Sequence, residues 1–300
     1  GTGQTPVCLT ACIKILGDAA VVDLRGCDDA GSGPLNAVRA IAVSAVFYVF
    51  RALAGAATDD QRRREAGHER GHDAGAMPAN EGMMRPITVL TRPGSVLDAQ
   101  HPAAVSSGNV ETSQRVVDTL LGALAGAAPH LVPAASCGSM NNVLMGGELP
   151  APWVHYETLA GGAGAGSRGD GASAIHCHMT NTLNTPIESL EHSFPVRIER
   201  YGLAKQPAPN AEHIGGAGVV RAYKFLEPAH VTVISERRTL PPWGANGAPA
   251  GMRGEDAVIH ADGEREEIAG KCALRLSPGD VLCIQTPGGG HWKAPKTGES

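Results

Sequence analysis

The passage Gly161–Pro186, GGAGAGSRGDGASAIHCHMTNTLNTP, constrains this chain more than any other stretch. Glycine loses more backbone freedom on folding than any other residue, so a cluster of it marks tight turns or close backbone approach. After the last Gly-Asp-Gly, the segment Ala172–Thr180 has the texture of a buried strand. Alternation along a strand would set His176 and His178 on one face with Ala174 and Thr180, and Ile175, Cys177 and Met179 on the other. Polar groups beside a glycine loop are a place to expect a ligand.

The glycine run itself is a poor phosphate cradle, because it lacks GxxxxGK[ST] and leads into a strand rather than a helix. An HxH pair on a strand converges as two metal ligands do, with Asp170 as a third. The competing reading, favoured for metal, is that the histidines bond within a polar cluster of Asn181, Thr182, Asn184 and Thr185. Glu157, Glu188, Glu191 and Asp170 are candidates for a general base that spacing does not separate. Asn109, Glu111 and Gln114 open a helix, where they reach a site or cap the helix.

With hydrophobic residues at 42% and aromatics at 4%, the core must be built from Ala, Val, Leu and Ile. Glycine and proline, 39 and 21 residues, are scattered among apolar segments, which predicts many turns and short strands. A net charge of -5 without a basic cluster argues against a nucleic-acid partner. Seven cysteines, an odd number without a CxxC pair, fit reduced thiols in a cytoplasmic protein. No signal-peptide pattern is present, and the apolar run Ala40–Phe50 is too short for a bilayer, so no membrane contact is expected.

In chain order, Ala19–Leu24 reads as a strand and Ala37 to about Leu53 as a buried helix, apolar nearly all round and capped by Asn36. Ala56–Ala76, charged and without apolar period, reads as a solvated loop insertion carrying His68 and His72. Arg85–Leu90 is a strand. GNVETSQRVVDTLLGALAGAAP is a helix with Val110, Val116, Val117, Leu120, Leu121 and Leu124 on one stripe, ended by Pro129. Ser136–Asn142 reads as a turn and Trp153–Leu159 as a strand. A short helix follows Pro186, and from Phe194 strands recur at short intervals: Val196–Leu203, Gly218–Phe225, Ala229–Ser235, Ala257–His260, Cys272–Leu276 and Val281–Gln285. The class is α+β, a helix-containing mixed part over 1–195 with the insertion at 56–76, then a strand-rich part over 196–300 of the same domain.

Several motifs in order carry a resemblance: GPLNAVRA (33–40), NEGMMRPITV (80–89), GNVETSQRVVD (108–118), GGAGAGSRGDGASAIHCHMTNTLNTPIESLE (161–191), FLEPAHVTVISERR (225–238), PWG (242–244) and TPGGGHW (286–292). Together they resemble the hydantoinase B/5-oxoprolinase family, in particular the C-terminal half of such a subunit. The resemblance implies ATP-dependent hydrolysis of a cyclic amide such as 5-oxoproline or a hydantoin, a step of the kind found in glutathione metabolism. ATP would be bound by a hydantoinase A-type subunit or domain that phosphorylates the amide oxygen. A divalent metal is implied for the full-length protein, with its ligands outside this chain. Under this reading His176, His178 and Asp170 are the catalytic candidates, and Asn109, Glu111, Gly164, Gly166, Asn181 and Asn184 bind substrate. The alternatives are a subunit of an ATP-dependent ketone carboxylase and a non-catalytic assembly module.

Overall fold

The computed structural model describes residues 6–66, 80–148, 151–207 and 210–295. It is an α+β structure whose chain forms two compact units, Pro6–Val132 and the part from Pro133 onward.

In the first unit, strands β1 (Cys12–Leu16) and β2 (Ala19–Asp23) pair antiparallel through a turn at Gly17, whose φ of 65° suits glycine. Strand β3 (Ile87–Leu90) lies parallel to β2. Helix α1 (Arg39–Ala66) packs against α2 (Ser113–Ala125), which buries Val116, Val117, Leu120, Leu121 and Leu124 as its periodicity predicts. A π-type turn at Gly108–Thr112 leads into α2, and a Cβ on Gly108 would collide with the carbonyl of Asn36.

Three expectations for this unit are corrected. Asn36 does not cap a helix at Ala37; its side chain ties down Gly31, Gly33 and Ala104, and α1 begins at Arg39. The helix also continues to Ala66, across the first half of the stretch expected to loop. Gln, Arg, Glu and Ala in that stretch favour helix without needing an apolar stripe. Residues 67–79, with His68 and His72, lie outside the described residues. Finally, among the residues of α1 whose burial is described, only Ala42, Ala45, Val46 and Val49 are fully buried. Its segment Arg39–Thr58 is, by length and composition, long and apolar enough to cross a membrane, which counting only the run Ala40–Phe50 misses.

The second unit contains β4 (Asn142–Gly147), β5 (Trp153–Thr158), α3 (Ile187–Ser193), β6 (Val196–Leu203), β7 (Val219–Phe225), β8 (Ala229–Ile234), β9 (Glu255–Ile259), β10 (Arg265–Ile268), β11 (Lys271–Leu276) and β12 (Val281–Gln285). One antiparallel sheet has the order β11-β8-β4-β5 and the other β10-β9-β12-β7-β6. Alternation along β4 and β8 turns Val143, Met145, Val231 and Val233 inward to meet Tyr223, Phe225, Leu282 and Ile284 of the second sheet in one core. β4 and β5 pair within the same sheet as β8 and β11, and the compact units divide at residue 132. Three strands were not anticipated: β1; β4, which starts in the expected turn and ends in Gly146-Gly147; and β10, a charged edge.

Candidate functional site

Three stretches distant in sequence cross at the glycine passage: 161–171, 215–218 and 288–290. A Cβ on Gly162 would strike the carbonyl of Gly216, one on Gly216 that of Ala172, one on Gly289 that of Ala163, and one on Gly164 that of Ala134. Hydrogen bonds stitch the crossing, from Gly289 N–H to Gly216 O (2.8 Å), Gly216 N–H to Ala163 O (2.9 Å) and Ala165 N–H to Gly290 O (3.0 Å). Backbone lies directly on backbone, and only glycine leaves room for that. The N–H groups of Gly161, Gly162, Ala163, Ala165 and Gly166 are all donated to protein carbonyls. The loop therefore lacks the row of free donors that a phosphate cradle requires. Gly164 is locked in the crossing, whereas Gly166 is looser and pairs with Gly169.

The segment after it is not a buried strand. Its one ladder contact is a bridge from Ile175 to Gly161, and residues 172–175 are exposed. Ala174 and His178 have φ of 51° and 59°, a left-handed conformation that interrupts any alternation. These two bends bracket His176, which is half-buried with Nδ1 3.3 Å from the Thr180 hydroxyl. Burial pushes the imidazole below its ordinary value of 6.5, so it is neutral at pH 7. Its Nε2 is buried and has no hydrogen-bond partner among the described residues. Asp170 is elsewhere in the loop: exposed, it accepts the Ile214 N–H at 2.7 Å and lies 3.8 Å from His213 Nδ1. Among the described residues no three His, Cys, Asp or Glu side chains converge as a metal set.

The other sequence candidates are placed as follows. Asn181 is exposed. Asn184 uses both ends of its amide, donating to Thr158 O (2.8 Å) and Glu157 Oε2 (3.3 Å) and accepting the Tyr201 hydroxyl (3.1 Å). Asn109, exposed, and Glu111, fully buried, belong to the first compact unit.

Sequence reasoning named Glu157 as a candidate base but did not find the buried polar cluster around it in the second unit. On β5, His155 and Glu157 face the core, and on β7 Arg221 and Tyr223 face back across it. The Tyr223 hydroxyl donates to Glu157 Oε1 at 2.5 Å and Arg221 Nε lies 3.3 Å from the same oxygen. His155 Nε2 is 3.7 Å away. Burial pushes the Glu157 carboxyl up, but His155, Tyr223 and Arg221 outweigh it and hold the group below its ordinary value. Burial and the adjacent carboxylate drive the Tyr223 phenol well above 10. The cluster grips the strap 181–185: Glu157 accepts the Thr185 N–H (3.3 Å), Arg221 donates to Thr185 O (2.9 Å), and the Thr158 and Thr182 hydroxyls meet at 2.5 Å. The signal was present in the alternation, since Arg221 shares a strand face with Val219, Tyr223 and Phe225.

A family model for hydantoinase B/oxoprolinase matches residues 1–295. The uncharacterized protein MJ0963 of Methanocaldococcus jannaschii is 37% identical over 283 residues, covering 94% of this chain and 46% of that one. The Arabidopsis thaliana protein 5-oxoprolinase 1 is 36% identical over 271 residues, 90% of this chain and 19% of that one. The crystal structure of the ATP-dependent caprolactamase from Pseudomonas jessenii has a similar fold, with a TM-score of 0.73 at 24% identity over 96% of this chain and 48% of that one. The chain thus spans less than half the length of each.

Proposed function

The chain belongs to the hydantoinase B/oxoprolinase family, and on that premise we propose that it is part of an ATP-dependent cyclic-amide hydrolase. The observation that carries this reading is the family match across 1–295, which takes in both compact units. A second hydantoinase A-type subunit or domain binds ATP and phosphorylates the amide oxygen. The backbone donors of Gly161, Gly162, Ala163, Ala165 and Gly166 are already committed to protein carbonyls, which supports placing the ATP site on the partner.

The chemistry has a physical rationale. A lactam carbon is a poor electrophile, and phosphate on its oxygen activates it to attack by water; the adduct then breaks its C–N bond, the nitrogen taking up a proton, and a second water releases phosphate from the acyl phosphate that remains. Overall, the ring opens to an amino acid while ATP becomes ADP and phosphate, consuming two waters. In this reading His176, neutral and oriented through Thr180, takes a proton from the attacking water. His178 closes the same bend.

The test is ATP-dependent ring opening of 5-oxoproline and hydantoin by this chain mixed with an A-type partner, beside a full-length B-type subunit. Replacing His176 and His178 together by alanine in the complete enzyme is expected to abolish turnover. Retained turnover in that double variant would sink the assignment of these residues.

A further inference from the structure

Sheet edges invite pairing with other chains, and proteins usually guard them with charge. In the second unit β10 is guarded by Arg265, Glu266 and Glu267, β6 by Arg197, Glu199 and Arg200, and β11 by Lys271 and Arg275. The remaining edge, β5, has its histidine and its one acid, His155 and Glu157, turned inward. Its outer face presents Val154, 71% exposed, and Tyr156, 50% exposed. Leu144 of β4, 42% exposed, stands opposite Tyr156, and Gly146 opposite Val154 leaves that valine uncovered. The Thr158–Thr182 contact brings the strap to the end of β5, and there Leu183 is 97% exposed. Its backbone is held on both sides, by Thr182 and by the fully bonded Asn184. A leucine fixed in place with nothing to touch is suited to anchor an interface, because little ordering cost remains.

We propose that Leu144, Val154, Tyr156 and Leu183 form the docking surface for the other half of a full-length subunit of this family, which lays an apolar strand-forming segment along β5. The occupant follows from length. This chain accounts for 46% of the archaeal relative and 48% of the caprolactamase chain, so in each the matched region is joined to about as much polypeptide again. That second half, being in the same polypeptide, is present at one copy per site. The inference rests on family membership and on exposure, and it is independent of the hydrolase reading.

The test places Val154→Lys with Leu183→Lys in this chain, and lysines at the matching positions of full-length MJ0963. Guanidinium unfolding is followed for each, with sedimentation velocity on this chain. On an open face the pair is expected to move this chain's midpoint by less than about 0.2 M, and in the full-length protein, where the face is covered, to lower it by roughly 0.5 M or more. Equal, small shifts in both proteins would overturn the proposal. A dimer of this chain that the two lysines convert to monomer would also overturn it, making a second copy the occupant.

Discussion

Arg221 and Glu157 meet across the core of the second unit, Nε to Oε1 at 3.3 Å, with the arginine side chain fully buried and the glutamate at 4% exposure. Each comes from a different sheet, so the pair fixes how β5 and β7 face one another. Removing one partner strands the other charge away from water. Glu157→Gln and Arg221→Met are each expected to cost about 3–5 kcal/mol in urea unfolding. The double variant should cost less than the sum by roughly 1–3 kcal/mol, and strict additivity would show that the two side chains do not act as a pair.

Stability should fall with acid in two stages. His176 and His291 are held below the usual 6.5 by burial, so between folded and unfolded values the unfolded chain binds more protons. Their contribution is present above about 6.5 and is lost as the pH drops through their lower folded values. Glu157 is likewise depressed below 4.5, so its contribution is present above that pH and is lost as the pH falls through its folded value. Thermal melts from pH 8 to 3 should show both stages, with His176→Gln weakening the upper and Glu157→Gln weakening the lower. A flat profile down to pH 4 would contradict the upper stage.

Glycines at the crossing should be irreplaceable while others are not. Gly289→Ala puts a methyl into the Ala163 carbonyl and should cost about 3 kcal/mol or more, or prevent soluble expression. Gly202→Ala, on β6, meets nothing within 4 Å and has an ordinary φ, so its midpoint should match or exceed the parent's. Comparable losses at both positions would contradict the close-packing account.

Ala174 carries left-handed strain of about 1–2 kcal/mol that glycine would relieve, less the roughly 0.4–1 kcal/mol glycine adds to unfolded-state freedom. Ala174→Gly is therefore expected to be neutral to slightly stabilising in denaturant titrations. A clear loss would mean the bend depends on the methyl group.

Much of the fold was legible because its strands follow simple rules. β7 and β8 announce themselves by β-branched residues and alternation, α2 by its apolar stripe, and the glycine passage by residues that only close approach explains. The segment 172–180 misled because small and polar residues there alternate as a strand's would. Nothing in the identity of Ala174 or His178 signals that each bends left-handed. Asp170 was grouped with the histidines by proximity in sequence, whereas the structure gives it to Ile214. Arg221 and Glu157 are far apart in the chain and sit on different sheets, so alternation reveals that each points inward but not that they meet.

The glycine crossing also dictates an order of events during synthesis. Residues 161–171 find their seats only against 215–218 and 288–290, so the turn bearing His176 has no finished support until residue 290 has left the ribosome. Contacts this distant in sequence close slowly. Until they close, the early strands wait with unpaired edges, which makes this the interval in which a nascent chain is most exposed to misassembly and most dependent on chaperones. A stop codon shortly before Gly288 would forfeit the centre of the unit even though every strand from β4 to β12 had been made.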